Sequence, residues 1–192
     1  ALLRCCVEQD KRSSSALNNY ANCISEGYGT KKDEKKAFEY YKEAAQIDEE
    51  DKNFLSKSVN NYARCYINGN GVDKDVKRGL TLTKRYADEG FLACMSSLAK
   101  YYSDGEIVEK NVKEAIRIYE SLLAQNYSVD DICSRLAWIY LKGNGVAKNP
   151  TKAIEYYKKG MTEGSGESSN AGLGAMYFYG DGVEKDYAKA IS

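Results

Sequence analysis

Few side chains in this chain have the type and spacing for covalent chemistry. Ser97-Leu98-Ala99-Lys100 sets a lysine one helical turn from a serine, the spacing of an amine-activated nucleophile. Asp73-Lys74-Asp75 offers two carboxylates toward a cation loop but lacks the remaining oxygen ligands. Gly164-Ser165-Gly166 has loop glycines without the following Gly or the Lys-Ser/Thr of a phosphate loop. The cysteines are Cys5, Cys6, Cys23, Cys65, Cys94 and Cys133; no Cys-x-x-Cys occurs, so a zinc site is poorly supported. Histidine is absent, which removes the usual general base and the commonest metal ligand. We therefore expect a non-enzyme, with no catalytic residue, no metal and no cofactor. Asn126-Tyr127-Ser128 is a glycosylation sequon and points weakly to a secretory lumen.

The 28 lysines and arginines balance 28 aspartates and glutamates, which gives no sequence-independent pull toward nucleic acid or anionic lipid. No apolar run approaches the roughly 18 residues of a membrane span. One proline in 192 residues suits a mostly helical chain.

The elements that position these side chains repeat. Gly27, Gly69, Gly105, Gly143 and Gly180 are spaced by 42, 36, 38 and 37 residues, a period that marks arrays. Seven residues before each stand Tyr20, Tyr62, Leu98, Leu136 and Leu173; six before, Ala21, Ala63, Ala99, Ala137 and Gly174; three before, Ile24, Tyr66, Tyr102, Tyr140 and Tyr177. These offsets share one helix face, with a small residue that lets a neighbour approach. Two residues after the turn glycine come Gly29, Gly71, Gly145 and Gly182, with Ile107 in the third copy. Asp33, Asp75, Asn111, Asn149 and Asp186 then stand where a helix N-cap is needed, and Pro150 follows at the first helical position. A second helix follows each cap, its apolar face running for example Ala153, Ile154, Tyr156, Tyr157, Gly160, Met161.

The pattern Leu-Ala/Gly-x-x-Tyr-x-x-Gly-x-Gly-Val-x-Lys-Asp/Asn-x-x-Lys-Ala-x-x-Tyr-Tyr resembles the Sel1-like repeat, a relative of the tetratricopeptide repeat, over about residues 14–192. The resemblance implies an all-α fold, a right-handed α-solenoid of antiparallel helix pairs with the first helix of each pair on the concave side. It also implies a scaffold or adaptor. The expected organisation is a single solenoid over 1–192, with repeats near 14–56, 57–91, 92–129, 130–166 and an incomplete 167–192. Leu2, Leu3 and Cys6 look like the tail of an earlier helix, so the chain reads as a piece of a longer array. One branch of the family has been linked to penicillin binding, and Ser97-x-x-Lys100 matches the Ser-x-x-Lys of penicillin-recognising enzymes. The companion motifs are missing, and that enzyme reading stays a minor alternative.

Three departures from the repeat stand out. The long first spacing places extra residues between Gln46 and Lys57, with the run Asp48-Glu49-Glu50-Asp51, expected as a solvated loop or a longer second helix. Ile107 requires a locally different third turn. Gly79 replaces the helix alanine at a modest helix cost. Cys23 and Cys65 occupy equivalent places in successive helices, about 8–10 Å apart in packed helices, beyond the reach of a disulfide of about 7 Å. The cysteine-clipped pattern of one family branch is absent. We expect buried or half-buried free thiols.

The surface of the first helices not used by the core lies nine, five and two residues before the turn glycine. There Asn18, Asn22, Asn60, Arg64 and Lys100 offer amides and cations, and Trp138, Leu141 and Phe178 offer an apolar anchor. The competing reading has Trp138, Leu141 and Phe178 packed against the next repeat. The expected function is binding of a protein or peptide partner in the concave groove, with no nucleic acid, no direct membrane insertion and oligomeric state open. The cytoplasm is the expected compartment; a lumenal or secreted array, as in ER quality control or a bacterial effector, is the alternative.

Overall fold

The computed structural model describes residues 13–191. The reading of Leu2, Leu3 and Cys6 as a helix tail lies outside the described residues, as does Cys5. Among the described residues ten helices follow one another: α1 (Ser14–Glu26), α2 (Glu34–Asp51), α3 (Ser58–Asn68), α4 (Val76–Asp88), α5 (Leu92–Asp104), α6 (Val112–Ala124), α7 (Val129–Lys142), α8 (Pro150–Glu163), α9 (Glu167–Tyr179) and α10 (Tyr187–Ala190). No strand occurs among the described residues. The chain forms two compact units, divided inside α5 between Leu98 and Ala99.

Each helix pair is joined by the same local bonds. Asp33, Asp75, Asn111, Asn149 and Asp186 accept from the backbone N–H three residues on, so all five expected N-caps form. Their own N–H groups donate back to Ile24, Tyr66, Tyr102, Tyr140 and Tyr177 carbonyls at 2.8–3.0 Å. This second bond ties the cap to the end of the preceding helix and sets the turn. The turn glycines take the left-handed conformation, with φ between +65° and +82°. Ile107 keeps a negative φ, so the third turn departs from its sisters as its sequence requires.

The second glycine does more than turn the chain. A Cβ on Gly145 would stand 2.5 Å from Val112 Cγ2, and one on Gly182 would stand 2.5 Å from Pro150 Cγ. Val112 and Pro150 each open the second helix of the preceding repeat. In the first unit, Gly71 meets the Glu34 carbonyl in the same way. These glycines are stacking surfaces between repeats.

In the first unit, Ala21 and Ile24 of α1 pack on Ala37, Phe38 and Tyr41 of α2 and on Cys65 and Tyr66 of α3. A second cluster joins Ala45, Val59, Tyr86, Phe91 and Cys94. Burial of such side chains contributes about 1.5–3 kcal/mol each. Gly79 of α4 sits so close to α3 that a Cβ would lie 2.5 Å from Ile67 Cγ1, which accounts for the departure from alanine. The extra residues lengthen α2, as one of the two readings held, but the acidic run is not wholly solvated. Asp48 is fully buried, one oxygen accepting from Asn53 Nδ2 at 3.2 Å. Glu49 pairs with Arg85 at 2.7 Å. The Phe54 ring then caps Phe91, centroids 5.2 Å apart.

In the second unit, Ala137 and Leu141 of α7, Ala153 and Tyr157 of α8, and Met176 of α9 form one cluster. Asp130 of α7 fastens α9 from outside: its carboxylate accepts from the backbone N–H of Ser168 and Ser169 and from Ser165 Oγ, at 2.9–3.0 Å. Gly166, the local N-cap residue of α9, has no side chain to do this. Burial pushes the Asp130 carboxyl up, but the donors of Ser169, Ser168 and Ser165 outweigh it and hold it below the usual carboxylate value. Cys65, Cys94 and Cys133 are buried free thiols and Cys23 is a half-buried one. Burial pushes Cys65 and Cys133 up to about 11, and Cys94 higher still.

Candidate functional site

The second unit holds a cavity of about 1010 Å³. Its floor is made by Ile139, Leu141, Met176 and the inner faces of Tyr119 and Tyr157. Both tyrosines stand eight residues after their caps, Asn111 and Asn149, so the repeat itself sends these rings toward the first helices. Gly172 makes the room: a Cβ there would lie 2.2 Å from Tyr157 Cε1. Ala175, one turn on, keeps that wall low. Against this small-residue wall of α9, α7 presents Trp138, which is 56% exposed, and Tyr179 closes the α9 side at 70% exposed.

Charge is concentrated at the end where α7 stops. Lys142 Nζ sits 4.5 Å over the Trp138 ring and donates to Asp181 Oδ2 at 2.5 Å. Lys148 donates to the other Asp181 oxygen at 3.3 Å. The Lys142 bond, offset by some desolvation and reinforced by Lys148, lowers the Asp181 carboxyl from its usual value. Deeper in, burial raises the Tyr119 hydroxyl to about 12, with Arg135 opposing and Asp104 reinforcing. Asp131 and Ser168 mark the opposite end, linked at 3.5 Å.

The first unit has a smaller, polar counterpart of about 250 Å³, lined by Asn22, Tyr41, Asn61, Arg64 and Asn68 among others. Tyr41 donates to Asn22 Oδ1 at 2.7 Å.

The Sel1 repeat model matches residues 14–48, 56–91, 92–127, 133–165 and 168–192. The chain belongs to the Sel1 repeat family. Its fold class is accordingly all-α, the helix-pair solenoid class of that family. The chain is similar to a Sel1 repeat protein from Oxalobacter formigenes, with 29% identity and a TM-score of 0.72 over 94% of this chain and 70% of that one. It is also similar to c5321, described as a protective antigen present in uropathogenic Escherichia coli strains displaying an SLR fold. That match has 26% identity and a TM-score of 0.66 over 98% of this chain and 38% of that one. No curated protein matches the chain. Sel1 repeats are a non-enzymatic scaffold type and generally mediate protein–protein interaction. No helix among the described residues is long and apolar enough to cross a membrane.

Within this Sel1 array the proposed contact residues separate. Trp138 lines the large cavity and is exposed; Leu141 lines its floor but is only 3% exposed, packed in the core. Phe178, 49% exposed, does not line the cavity: its ring sits 5.0 Å from Tyr179 and 5.4 Å from Tyr187. The competing packed reading therefore describes Leu141, while Trp138 and Phe178 stay largely open. Asn22 and Arg64 line the small pocket. Asn18 and Asn60 do not; both are buried. Asn18 accepts from Asn61 Nδ2 at 2.8 Å, and Asn61 takes the lining position expected of Asn60. Buried Asn60 Oδ1 meets no donor among the described residues. Lys100 pairs with Asp104 at 2.7 Å. Ser97 is half-buried on α5.

The sequence reading missed Arg135, Lys142 and Tyr179. The stripe it followed ran nine, five and two residues before the turn glycine. On α7 the cavity lining takes in that stripe, Ser134, Trp138 and Leu141, and adds the positions eight and one before the glycine, Arg135 and Lys142; on α9 it runs eight, five and one before, Gly172, Ala175 and Tyr179. Both stripes share the middle position and both have helical spacing. The burial of Ile67 and Leu141, two before their glycines, is what tells them apart.

Proposed function

We propose that this chain is a non-catalytic interaction module, its five repeats acting as one array, that holds an extended segment of a protein partner along the first helices of its pairs. The observation that carries the reading is the exposed Trp138 at a cavity whose α9 side carries the small residues Gly172 and Ala175. An exposed aromatic side chain beside an apolar recess is the arrangement of an anchor site. Trp138, Leu141 and Tyr179 would contact the anchor. Asn22 and Arg64 would contact a second stretch through the polar pocket, and Lys100, Asn18, Asn60 and Phe178 are secondary in this scheme.

The test is affinity capture with the intact chain, quantified against Trp138→Ala and Arg64→Ala. Loss of the same partner in Trp138→Ala, with an unchanged helical circular dichroism melt, supports the groove. Undiminished capture by both variants places the interaction elsewhere on the array.

A further inference from the structure

Asp181 is shared by two lysines. Lys142 Nζ reaches one of its oxygens at 2.5 Å and Lys148 Nζ the other at 3.3 Å, and all three side chains remain partly open to solvent. Asp104, also on the cavity lining, is already paired with Lys100. Taken together these five groups leave one positive charge unmatched, and it lies beside Trp138, on whose ring Lys142 rests. Of the other charged side chains on the lining, Asp131 meets Ser168 and Arg135 faces the Tyr119 hydroxyl. The groove is therefore polarised: an apolar recess in the middle and an excess cation at the α7 C-terminal rim.

From this we infer that the segment bound in the groove carries an acidic side chain next to its apolar anchor, the carboxylate joining Lys142 and Lys148 while the anchor lies between Trp138 and the Gly172–Ala175 wall. The inference rests on the groove reading above and adds the charge of the occupant. A basic flanking residue would instead meet two ammonium groups served by one carboxylate, an arrangement that repels it. The carboxylate is that of an internal aspartate or glutamate. Both rim lysines remain partly open to solvent, which leaves room for a bound chain to run on past them.

The experiment is selection of a random-peptide display library on the intact chain, with counter-selection on Trp138→Ala. Selected peptides are expected to pair an aromatic or large aliphatic residue with an acidic neighbour. They should bind more weakly at high salt and lose roughly fivefold in affinity to Lys142→Gln/Lys148→Gln. Asp181→Asn, which releases both lysines, is expected to tighten them. Both variants are checked for an unchanged helical melt, and a chain that has lost it is replaced by the single Lys148→Gln. Binders that depend on Trp138 but carry basic or neutral neighbours would overturn the charge assignment and leave the groove standing. Binders that act only through a free C-terminal carboxylate would overturn the internal-acid assignment. If no Trp138-dependent binder emerges, the groove reading itself fails.

Discussion

On α7 the side chains of Trp138 and Leu141 leave the helix three residues apart and meet different surroundings, 56% and 3% exposed. Truncating Leu141 to alanine opens a cavity against Ala153, Tyr157 and Met176, and the expected loss is about 2–5 kcal/mol by denaturant titration. Truncating Trp138 removes a ring that chiefly meets water and Lys142, and the expected loss is about 1 kcal/mol or less. Equal losses would mean that Trp138 belongs to the core. Asp130 supports a second prediction. Its folded carboxyl is held below the usual value, so its contribution is present above the unfolded carboxylate pKa of about 3.9 and is lost as pH falls through the folded one. Asp130→Ala should therefore cost about 1–2 kcal/mol near neutrality, the range of a lost helix cap. The gap to the parent should close below about pH 4. A gap that is flat with pH would assign the loss to packing instead. Neither residue's role was fully legible in the sequence. Trp138 stood out because it broke the repeat. Asp130 did not, because its partners, Ser168 and Ser169, belong to the next repeat, and nothing local to α7 announces the bond.

The helix pairs were far more legible, and the reason is chemical. A cap must be a short oxygen-bearing side chain and a left-handed turn prefers glycine, so five caps and five turn glycines spell the array directly. What periodicity cannot distinguish is two faces rotated by one residue, which is why Leu141 and Phe178 were grouped with Trp138. It also misses why a glycine is needed. Gly29 and Gly145 both have positive φ, 66° and 92°, and read identically in the sequence. A Cβ at Gly29 meets nothing within 4 Å, whereas one at Gly145 meets Val112 at 2.5 Å. Gly29→Ala should thus show only the backbone strain of a left-handed alanine, about 1 kcal/mol. Gly145→Ala adds a clash between repeats and should cost at least about 1 kcal/mol more. Thermal melts of the two variants side by side check this. Equal shifts would show that α6 yields to the added methyl and that the second glycine serves the turn alone.

For the whole chain the open issue is whether the two compact units unfold together. The division falls inside the unbroken helix α5 rather than in a linker. In repeat arrays, stability is a sum of intrinsic and nearest-neighbour terms, and coupling through shared helices favours concerted loss. The thiols provide the readout. Cys65 and Cys94 lie in the first unit and Cys133 in the second, all buried and all raised in pKa by that burial, so native-state alkylation near pH 8 requires opening. Half-buried Cys23 should react first among these four. With rising urea, mass spectrometry of iodoacetamide adducts should then show Cys65, Cys94 and Cys133 appearing over one transition. If Cys133 becomes reactive at a urea concentration clearly different from that of Cys65 and Cys94, the units are separate folding bodies. The stabilisation by a bound peptide would then be confined to the second unit, because linkage acts only on the body whose folded form holds the ligand. A peptide that binds at Trp138 separates the cases in a second way. Under one transition it protects Cys65 as well as Cys133, and under two it protects Cys133 alone.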